Sequence, residues 1–398
     1  MAAVKEDSND YVIRVHGSPQ EVDAGQWNAL LARQAEPSPF MRHEYLSALH
    51  ASGSASAKSG WKPRFITVWH GGELQAACPL YLKSHSYGEY VFDWAWASAY
   101  EQHGLAYYPK AVIAVPFTPV PGTRILAVDA GARSLLIQAA VAWCEQEELS
   151  SLHLLFGAPE DTAACAAQGL MLRHTVQFHW TNQGWATFDA FLASLAQEKR
   201  KKIRQERRKV AEAGVAFRWS RGEEISEGDW DFFYSCYERT YYEHGNAPYL
   251  SRDFFSRMAR DMPENWLLFI AERADEKGVG RPIACSLIAI DDSAAGKVAY
   301  GRYWGAIERV DCLHFDACYY QPLQWCIENG FDRFEGGAQG EHKMARALMP
   351  VKTSSAHWLA QPAFADAVER FLEREGAGIE NYLGSLGERT PFRNREPQ

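Results

Sequence analysis

Short apolar runs of strand length recur in the same order in both halves of the chain. In the first half they predict three strands, a helix and a fourth strand, which cover Arg64–Trp69, Ala76–Leu82, Tyr90–Trp96, Arg133–Glu147 and Leu152–Phe156. In the second half the same order is predicted over Leu267–Arg273, Ile283–Ile290, Val298–Trp304, Leu313–Asn329 and Arg333–Glu335. The two longer segments carry apolar residues at helical spacing. The repeat predicts an α/β protein with two copies of one mixed domain, residues 1–185 and 186–398.

An insertion distinguishes the first copy from the second. Residues 97–130 separate its third strand from its helix and are rich in Pro, Tyr and Gly, as in Tyr107–Pro109 and Pro116–Pro119. A loop of this length inside a compact domain is usually functional or disordered. Because its aromatic content argues against disorder, we expect an ordered wall of a substrate groove. The alternative is a purely structural flap.

A polar, glycine-rich run follows the last strand of the second copy. It begins at Phe334 and carries Glu335, Gln339, Glu341, His342 and Lys343 among three glycines. Glycine permits positive φ and close approach to a ligand, and sites in open α/β sheets form where strands end. The run therefore predicts a functional site, with a solvated loop as the alternative.

Composition and charge limit the classes of function. The chain has 47% hydrophobic residues and 14 Trp, 18 Tyr and 20 Phe, which is enough for a large core and for an aromatic-lined cavity. Its net charge is −9, so any contact with nucleic acid must be local. The eight cysteines form no Cys-x-x-Cys pair and indicate buried thiols in a reducing compartment. Without an apolar signal segment or metal-ligand spacing, we expect a soluble cytoplasmic protein without a metal.

One segment departs from the acidic character of the chain. Residues Gln197–Lys209 carry eight Lys or Arg against two Glu, a local net charge of +6. Leu195, Ile203 and Val210 lie at the spacing of a buried stripe, which is typical of a solvated amphipathic helix. The alternative is a phosphate-binding patch formed by Arg200, Lys201, Arg204 and Arg208.

Several motifs together resemble the bacterial FemAB-like proteins of the GNAT acyltransferase superfamily, which are related to the enzymes that build peptidoglycan peptide bridges. These motifs are Tyr300–Gly305, Leu313–Phe315, Cys318–Gln321, Gly337–Lys343, Ser355–Trp358, Tyr90–Trp96, Tyr107–Lys110, Pro116–Pro119 and Gln177–Trp180. The resemblance covers nearly the whole chain. It implies tandem GNAT-like domains and an N-acyltransferase that acts on an amine-bearing small molecule or peptide.

The resemblance also implies which residues form the substrate site. Substrate-binding roles fall to Arg302, Tyr303, Trp304, His314, Gln339, Trp94, Trp96, Tyr108 and His179. It favours a tRNA contact through the basic helix, because the related enzymes open their second domain with a basic helix at the same place.

The proposed chemistry needs a base for the ammonium proton and donors for the tetrahedral oxyanion. Glu335 and Glu341 are the candidate bases, and His342 or His314 could act through water. Lys343, Arg302 and Tyr303 are candidate donors. A covalent intermediate is not favoured, because the sequence has no Ser-His-Asp arrangement or nucleophile elbow.

The acyl donor is left open between aminoacyl-tRNA and acyl-CoA. The segment Gly305–Cys312, where a GNAT enzyme would hold the pyrophosphate of CoA, has one glycine and two carboxylates, which disfavours CoA in the second domain. Two alternatives to the transferase remain: a non-catalytic module that recognises a peptide, a sugar-peptide or RNA, and a CoA-dependent acetyltransferase of a small amine that uses the first domain.

Overall fold

The computed structural model of this chain describes residues 11–274, 278–293, 296–338, 340–387 and 389–393. The helices of these residues are α1 (Ala24–Leu31), α2 (His43–Ala51), α3 (Trp94–Gln102), α4 (Ala130–Gln146), α5 (Pro159–Ala167), α6 (Phe188–Ser194), α7 (Gln197–Glu212), α8 (Glu227–Glu243), α9 (Arg252–Asp261), α10 (Leu313–Phe315), α11 (Gln321–Glu328) and α12 (Pro362–Gly387). A π-helical turn, Asp316–Tyr320, joins α10 to α11 without a break.

The strands of the described residues are β1 (Val12–His16), β2 (Trp61–Pro63), β3 (Phe65–His70), β4 (Glu73–Cys78), β5 (Leu80–Lys83), β6 (Lys110–Ile113), β7 (Leu126–Ala127), β8 (Ser151–Gly157), β9 (Met171–Thr181), β10 (Val215–Arg221), β11 (Trp266–Ala274), β12 (Gly280–Ser293), β13 (Gly296–Ala306), β14 (Arg333–Ala338) and β15 (Met349–Leu359).

The chain forms two compact units, and it crosses between them more than once. The first unit comprises Met1–Thr175 and Thr353–Ile379, and the second comprises Val176–Lys352 and Glu380–Gln398. These units differ from the predicted domains 1–185 and 186–398 in two places, because residues 176–185 belong to the second unit and residues 353–379 to the first. The reason is strand pairing: β15 runs antiparallel to β8.

In the first unit, β6 pairs antiparallel with β5 and parallel with β8. β2 pairs with β5, and a smaller antiparallel sheet has the order β1-β3-β4-β7. A core of aliphatic residues from β3, β4, β6 and β8 packs against α4, whose buried residues include Leu136, Ile137 and Ala140. Asp129 caps the start of α4 by accepting a hydrogen bond from the Ala132 N–H.

In the second unit, β10, β11, β12 and β13 form consecutive antiparallel pairs, and β13 runs parallel to β14. Residues of β9 flank β14 in antiparallel register. The predicted strands within β11 to β14 and the predicted helix from Leu313 are therefore confirmed. The first unit has the same sequence order in β3, β4, β6, α4 and β8, but its predicted second strand, Ala76–Leu82, is divided at Pro79 into β4 of the smaller sheet and β5, which pairs with β6.

The third strand predicted for the first copy, Tyr90–Trp96, is wrong. Its place in the repeat is taken by β6, and Trp94 begins α3 instead. Extended structure is interrupted because Gly88 and Tyr90 both have positive φ, 80° and 63°. Trp96 and Tyr100 are four residues apart and both buried, which is helical spacing. The insertion 97–130 therefore contains part of α3 and the strands β6 and β7.

Candidate functional site

A cleft opens in the second unit where the parallel strands β13 and β14 diverge. They pair only between Val298–Tyr300 and Arg333–Glu335, although β13 continues to Ala306. The register of β13 against β12 shifts so that Tyr303 faces Leu287 while Gly301 faces Ile288, which leaves Arg302 as the extra residue of a bulge. Bulges often re-aim a side chain next to a functional site.

The cleft has a volume of about 160 Å³. It is lined by Ser286, Gly301, Arg302, Tyr303, Trp304, His314, Cys318, Tyr319, Phe334 and Gly336. Two of the helical lining residues, His314 and Cys318, are four positions apart on one helical face, and Tyr319 follows Cys318 directly. A side chain at Gly336 would overlap the Leu348 side chain, so glycine is needed there for the wall to pack. The structure thus brings together four predicted substrate-binding residues, Arg302, Tyr303, Trp304 and His314.

His314 supplies an uncharged imidazole to this cleft. Its ring lies edge-on to the Trp304 ring, with centroids 5.3 Å apart. Desolvation of the ring, together with positive charge at His342, Arg346 and Lys343, lowers the pKa of His314 to about 4, although the residue as a whole is exposed. At neutral pH the imidazole therefore has a lone pair that can accept a proton.

Arg302 and Tyr303 provide hydrogen-bond donors beside that imidazole. The Arg302 Nη2 atom donates to the Tyr303 hydroxyl at 3.3 Å, and its guanidinium lies 5.1 Å from the centroid of the Tyr303 ring. Tyr303 packs against Tyr237 of α8, with centroids 5.1 Å apart. These contacts hold a guanidinium and a phenol on the same wall of the cleft.

Cys318 and Tyr319 line the cleft but were not assigned to a site from the sequence. Burial raises the pKa of the Cys318 thiol to about 12, so the sulfur is protonated at neutral pH and a poor nucleophile. The four-residue spacing from His314 is the signal that places Cys318 on the cleft face.

Lys343 lies behind the Gly336 wall and is not a lining residue. Its Nζ atom donates to the Gly336 carbonyl at 2.6 Å and to the Gly337 carbonyl at 3.3 Å. Burial lowers the pKa of Lys343 to about 8. The lysine thus fixes the backbone that forms one edge of the cleft.

The predicted catalytic residues do not converge on this cleft. Glu335 is buried on the opposite face of β14 from the lining residues Phe334 and Gly336, because side chains alternate along a strand. Its carboxylate forms an ion pair with the Arg333 Nε atom at 3.0 Å and lies 3.8 Å from the His179 Nε2 atom. Glu335 and His179 therefore lie next to each other in the interior of the unit and not in the cleft.

Glu341 and His342 lie on the outer side of the glycine-rich run. The Glu341 carboxylate is exposed and accepts hydrogen bonds from the Tyr382 hydroxyl at 3.0 Å and from Arg389 Nη1 at 3.1 Å. The exposed His342 ring lies 6.0 Å from the Phe315 ring centroid. Gln339 lies outside the described residues.

Trp94, Trp96 and Tyr108, the remaining predicted substrate-binding residues, belong to the first unit. Trp94 is 42% exposed, whereas Trp96 is buried with its ring 5.0 Å from that of His357. The Tyr108 hydroxyl bonds the Ser86 hydroxyl at 2.8 Å. None of these three side chains is among the residues that line the cleft of the second unit.

The first unit also buries a cluster of charged groups. The Lys110 side chain is fully buried and its Nζ atom donates to Ser86 at 2.8 Å, to Glu89 at 2.8 Å and to Asp93. The Tyr107 hydroxyl donates to the same Asp93 oxygen at 2.6 Å. Burial raises the pKa of Glu89 to about 7. Lys110 is therefore the cation beside the buried Asp93 carboxylate, whereas Glu89 is only partly ionised at neutral pH.

The basic helix α7 has the predicted buried stripe. Leu195, Ile203 and Val210 are buried, whereas Lys201, Arg204 and Arg208 are exposed. Arg204 lies 3.5 Å from Asp189, and Arg200 is half-buried. The helix therefore presents positive charge to solvent along one face while it packs through the other.

His179 allows a test of the interior of the second unit by pH. Burial, with Arg333 and Lys343, lowers the pKa of His179 to about 3, against about 6.5 in an unfolded chain. Between pH 6.5 and pH 3 the His179 side chain is protonated in the unfolded state but not in the folded state. The free energy of unfolding therefore falls as the pH drops, by at most about 1.4 kcal/mol per pH unit. In urea unfolding at pH 7, 6 and 5, the free energy of unfolding should decrease less with falling pH for His179→Gln than for the wild type. Replacement of the exposed His244 is the control, and equal slopes for wild type and His179→Gln would contradict the assignment.

The chain matches the FemAB-like family, described as peptidoglycan biosynthesis/recognition, over residues 18–394. Solved structures share its fold at low sequence identity. FemX has 12% identity and a TM-score of 0.53, covering 90% of this chain and 100% of FemX. The C-terminal domain of a putative lysylphosphatidylglycerol synthetase from Agrobacterium fabrum has 11% identity and a TM-score of 0.53, covering 89% and 97%.

A third structure, L-PGS from Bacillus licheniformis, has 12% identity and a TM-score of 0.51, covering 88% of this chain and 97% of that one. No curated protein matches the sequence.

Within the described ranges, no helix has the length and apolar character needed to cross a membrane. The same residues place no group of three or more His, Cys, Asp or Glu side chains where it could hold a metal ion. The shared fold and the repeated strand order confirm the predicted tandem GNAT-like α/β fold. By its match across residues 18–394, this chain belongs to the FemAB-like family.

Proposed function

We propose that this protein transfers an acyl or aminoacyl group to an amine and that the reaction takes place in the cleft of the second unit. The observation that carries the proposal is the grouping of His314, Arg302 and Tyr303 on the walls of one cleft beside the diverging strands. These side chains supply an uncharged imidazole, a guanidinium and a phenol, which are the groups that aminolysis of an activated acyl group needs.

In the proposed reaction the amine nitrogen attacks the acyl carbonyl carbon and forms the new amide bond. His314 accepts the proton that the amine loses, while Arg302 and Tyr303 donate hydrogen bonds to the carbonyl oxygen as its negative charge develops. Collapse of the intermediate breaks the bond to the donor, and the leaving oxygen or sulfur takes the proton from protonated His314, which returns the imidazole to its neutral form. Cys318 stays a thiol and forms no acyl-enzyme.

This proposal places the general base at His314 and not at Glu341. The Glu341 carboxylate already accepts hydrogen bonds from Tyr382 and Arg389 on the exposed side of the loop. Glu335 is likewise engaged with Arg333 and His179 in the interior. Lys343 supports the cleft through the carbonyls of the glycine-rich run.

The acyl donor divides the proposal into two branches. Exposed cations on α7 favour aminoacyl-tRNA, because a tRNA backbone needs positive charge along its path. In the loop before α10, the Glu308 carboxylate is paired with Arg273 at 2.8 Å and with Arg281. This pairing occupies cations near the segment where a CoA pyrophosphate would need them, so we favour aminoacyl-tRNA over acyl-CoA.

Mass spectrometry of material that co-purifies with the protein tests the function. Recovered tRNA, followed by transfer of a labelled amino acid from charged tRNA to an amine acceptor, would support the proposal in its favoured branch. Recovered CoA with transfer from acyl-CoA would support the proposed reaction in the other branch. A bound cell-wall precursor without transfer from either donor would contradict it and select a recognition module.

The α7 surface gives a separate prediction for the donor. Reversing the charge of Lys201 and Arg208 by substitution with Glu should weaken binding of bulk tRNA and flatten its dependence on salt, because each lost phosphate contact lowers the slope by roughly 0.7 to 0.9. Adding Arg200→Glu and Arg204→Glu should flatten it further. Fluorescence anisotropy at several salt concentrations measures both quantities.

The matched control reverses Arg370 and Arg374, two exposed arginines on α12. This control makes the same change in net charge away from α7 and is expected to leave the salt slope close to that of the wild type. An equal effect of both double variants would mean that net charge, and not α7, governs binding.

A further inference from the structure

The basic helix α7 buries one acidic residue among its many cations. Glu206 is 7% exposed and lies on the inner face of α7, between the buried Ile203 and Val210. A buried carboxylate is unfavourable unless it is paired and hydrogen-bonded. Such a residue at this position therefore indicates a specific partner underneath the helix.

The partner is Arg346, at the end of the turn that follows the glycine-rich run. Its Nη2 atom donates to the Glu206 carboxylate at 2.9 Å, and the Tyr320 hydroxyl donates to the same carboxylate oxygen. Arg346 is itself 2% exposed. An ion pair also links α7 to the π-helical turn, because the Arg207 Nε atom lies 3.6 Å from the Asp316 carboxylate.

Arg346 also contacts the helical segment that carries His314 and the turn that carries Lys343. Its Nη1 atom donates to the His342 carbonyl at 2.8 Å, which fixes the turn Glu341–Arg346. Its guanidinium lies 3.7 Å from the centroid of the Phe315 ring, next in sequence to His314. Lys343, in the same turn, holds the Gly336 carbonyl at the cleft wall.

From these contacts we propose that Arg346 is a positioning residue: paired with Glu206 of α7, it fixes the His314 side and the Gly336 side of the cleft relative to each other. The inference rests on the proposed function, because it assigns a role in the transfer reaction. The residue acts through Phe315 and the His342 carbonyl and does not itself line the cleft. Donor binding on the outer face of α7 and chemistry in the cleft then depend on different arginines.

Arg346→Lys is the principal test. Lysine keeps the charge but lacks the planar fork that bonds Glu206 and the His342 carbonyl while it stacks on Phe315. We expect kcat to fall roughly 10- to 100-fold, as for a misplaced catalytic geometry, with KM for the donor nearly unchanged. The α7 double variant Lys201→Glu/Arg208→Glu should show the reverse, a raised KM and a nearly unchanged kcat. A wild-type kcat in folded Arg346→Lys would overturn the proposal.

The control for general destabilisation is Arg218→Lys. Arg218 is a partly buried arginine of the same unit that pairs with Asp229 and Glu272 away from the cleft lining. Its replacement should lower Tm but leave kcat per folded molecule unchanged. If Arg346→Lys does not fold, the double variant Glu206→Gln/Arg346→Met removes both buried charges together, which is better tolerated than removing one. A wild-type kcat in that variant would equally overturn the proposal.

A second readout is independent of transfer activity. The Arg346 charge contributes to the lowered pKa of His314. The pKa of His314 measured by NMR titration should therefore rise in Arg346→Met and stay unchanged in Arg218→Lys. Comparison with His314→Gln identifies the resonance. An unmoved titration would contradict the placement of Arg346 near His314, on which the positioning role depends. If the wild type transfers no acyl group from either donor, the proposed function fails, and this titration still decides the placement of Arg346.

Discussion

Replacing His314 with Gln is expected to lower the rate of transfer roughly 10²–10⁴-fold, the usual range for loss of a general base. Glutamine is similar in size and hydrogen-bonds, but it cannot accept the amine proton. The loss should appear in kcat, because His314 lies in the cleft beside Trp304 and Arg302 and not on the basic helix. Single-turnover transfer from the active donor measures it, and the melting temperature shows whether the fold survives.

The matched control is Glu341→Gln. This change removes the carboxylate that the sequence alone favours as a base, but in the structure that carboxylate pairs with Arg389 and Tyr382 on the exposed side of the loop. Transfer by Glu341→Gln should stay near that of the wild type. The opposite result, a large loss for Glu341→Gln and none for His314→Gln, would return the base to Glu341.

Replacing Lys110 with Met should produce the largest loss of stability. Removing the ammonium leaves the Asp93 carboxylate buried without its cation, and breaking a buried ion pair from one side costs about 3–5 kcal/mol. For a unit of this size each kcal/mol corresponds to roughly 2–4 °C in Tm. Calorimetry should therefore show a transition lowered by roughly 6–20 °C.

Two further variants isolate the cause of that loss. Lys62→Met removes an exposed lysine from β2 and should change stability by about 0.5 kcal/mol or less. Adding Glu89→Gln and Asp93→Asn to Lys110→Met should recover part of the loss, because no buried charge then lacks its partner. If Lys110→Met lowered the free energy of unfolding by less than about 1 kcal/mol, solvent would have access to the charged groups around Lys110, which contradicts their burial.

The sequence by itself determined the elements whose pattern is local. Strands β11 to β14 and helices α4 and α7 follow from runs of apolar residues at spacings of two or of three to four. The same pattern predicted the repeat of the two halves and the buried stripe of α7. It failed at Tyr90–Trp96, where alternating aromatics resemble a strand but the positive φ of Tyr90 and the helical burial of Trp96 and Tyr100 give α3.

The sequence placed the predicted site at the end of the strand that borders the cleft, but the structure brings only some of the predicted residues to that cleft. Glycines and polar residues after Phe334 mark the end of β14, and Arg302 to Trp304 do lie in the cleft. Strict alternation along β14 already separates Glu335 from Phe334 and Gly336, so this signal was present in the sequence. The partners of Glu341 were not, because Tyr382 and Arg389 are more than forty positions away.

Only the tertiary structure decided the rest. The bulge at Arg302 and the divergence of β13 from β14 depend on the registers of three strands, which no local pattern encodes. Residues 353–379 join the first unit because β15 pairs with β8, a contact across about two hundred residues. Arg346 and Lys110 are charged residues that a sequence pattern would leave at the surface. They are buried because long-range folding places Glu206 beside one and Glu89 and Asp93 beside the other.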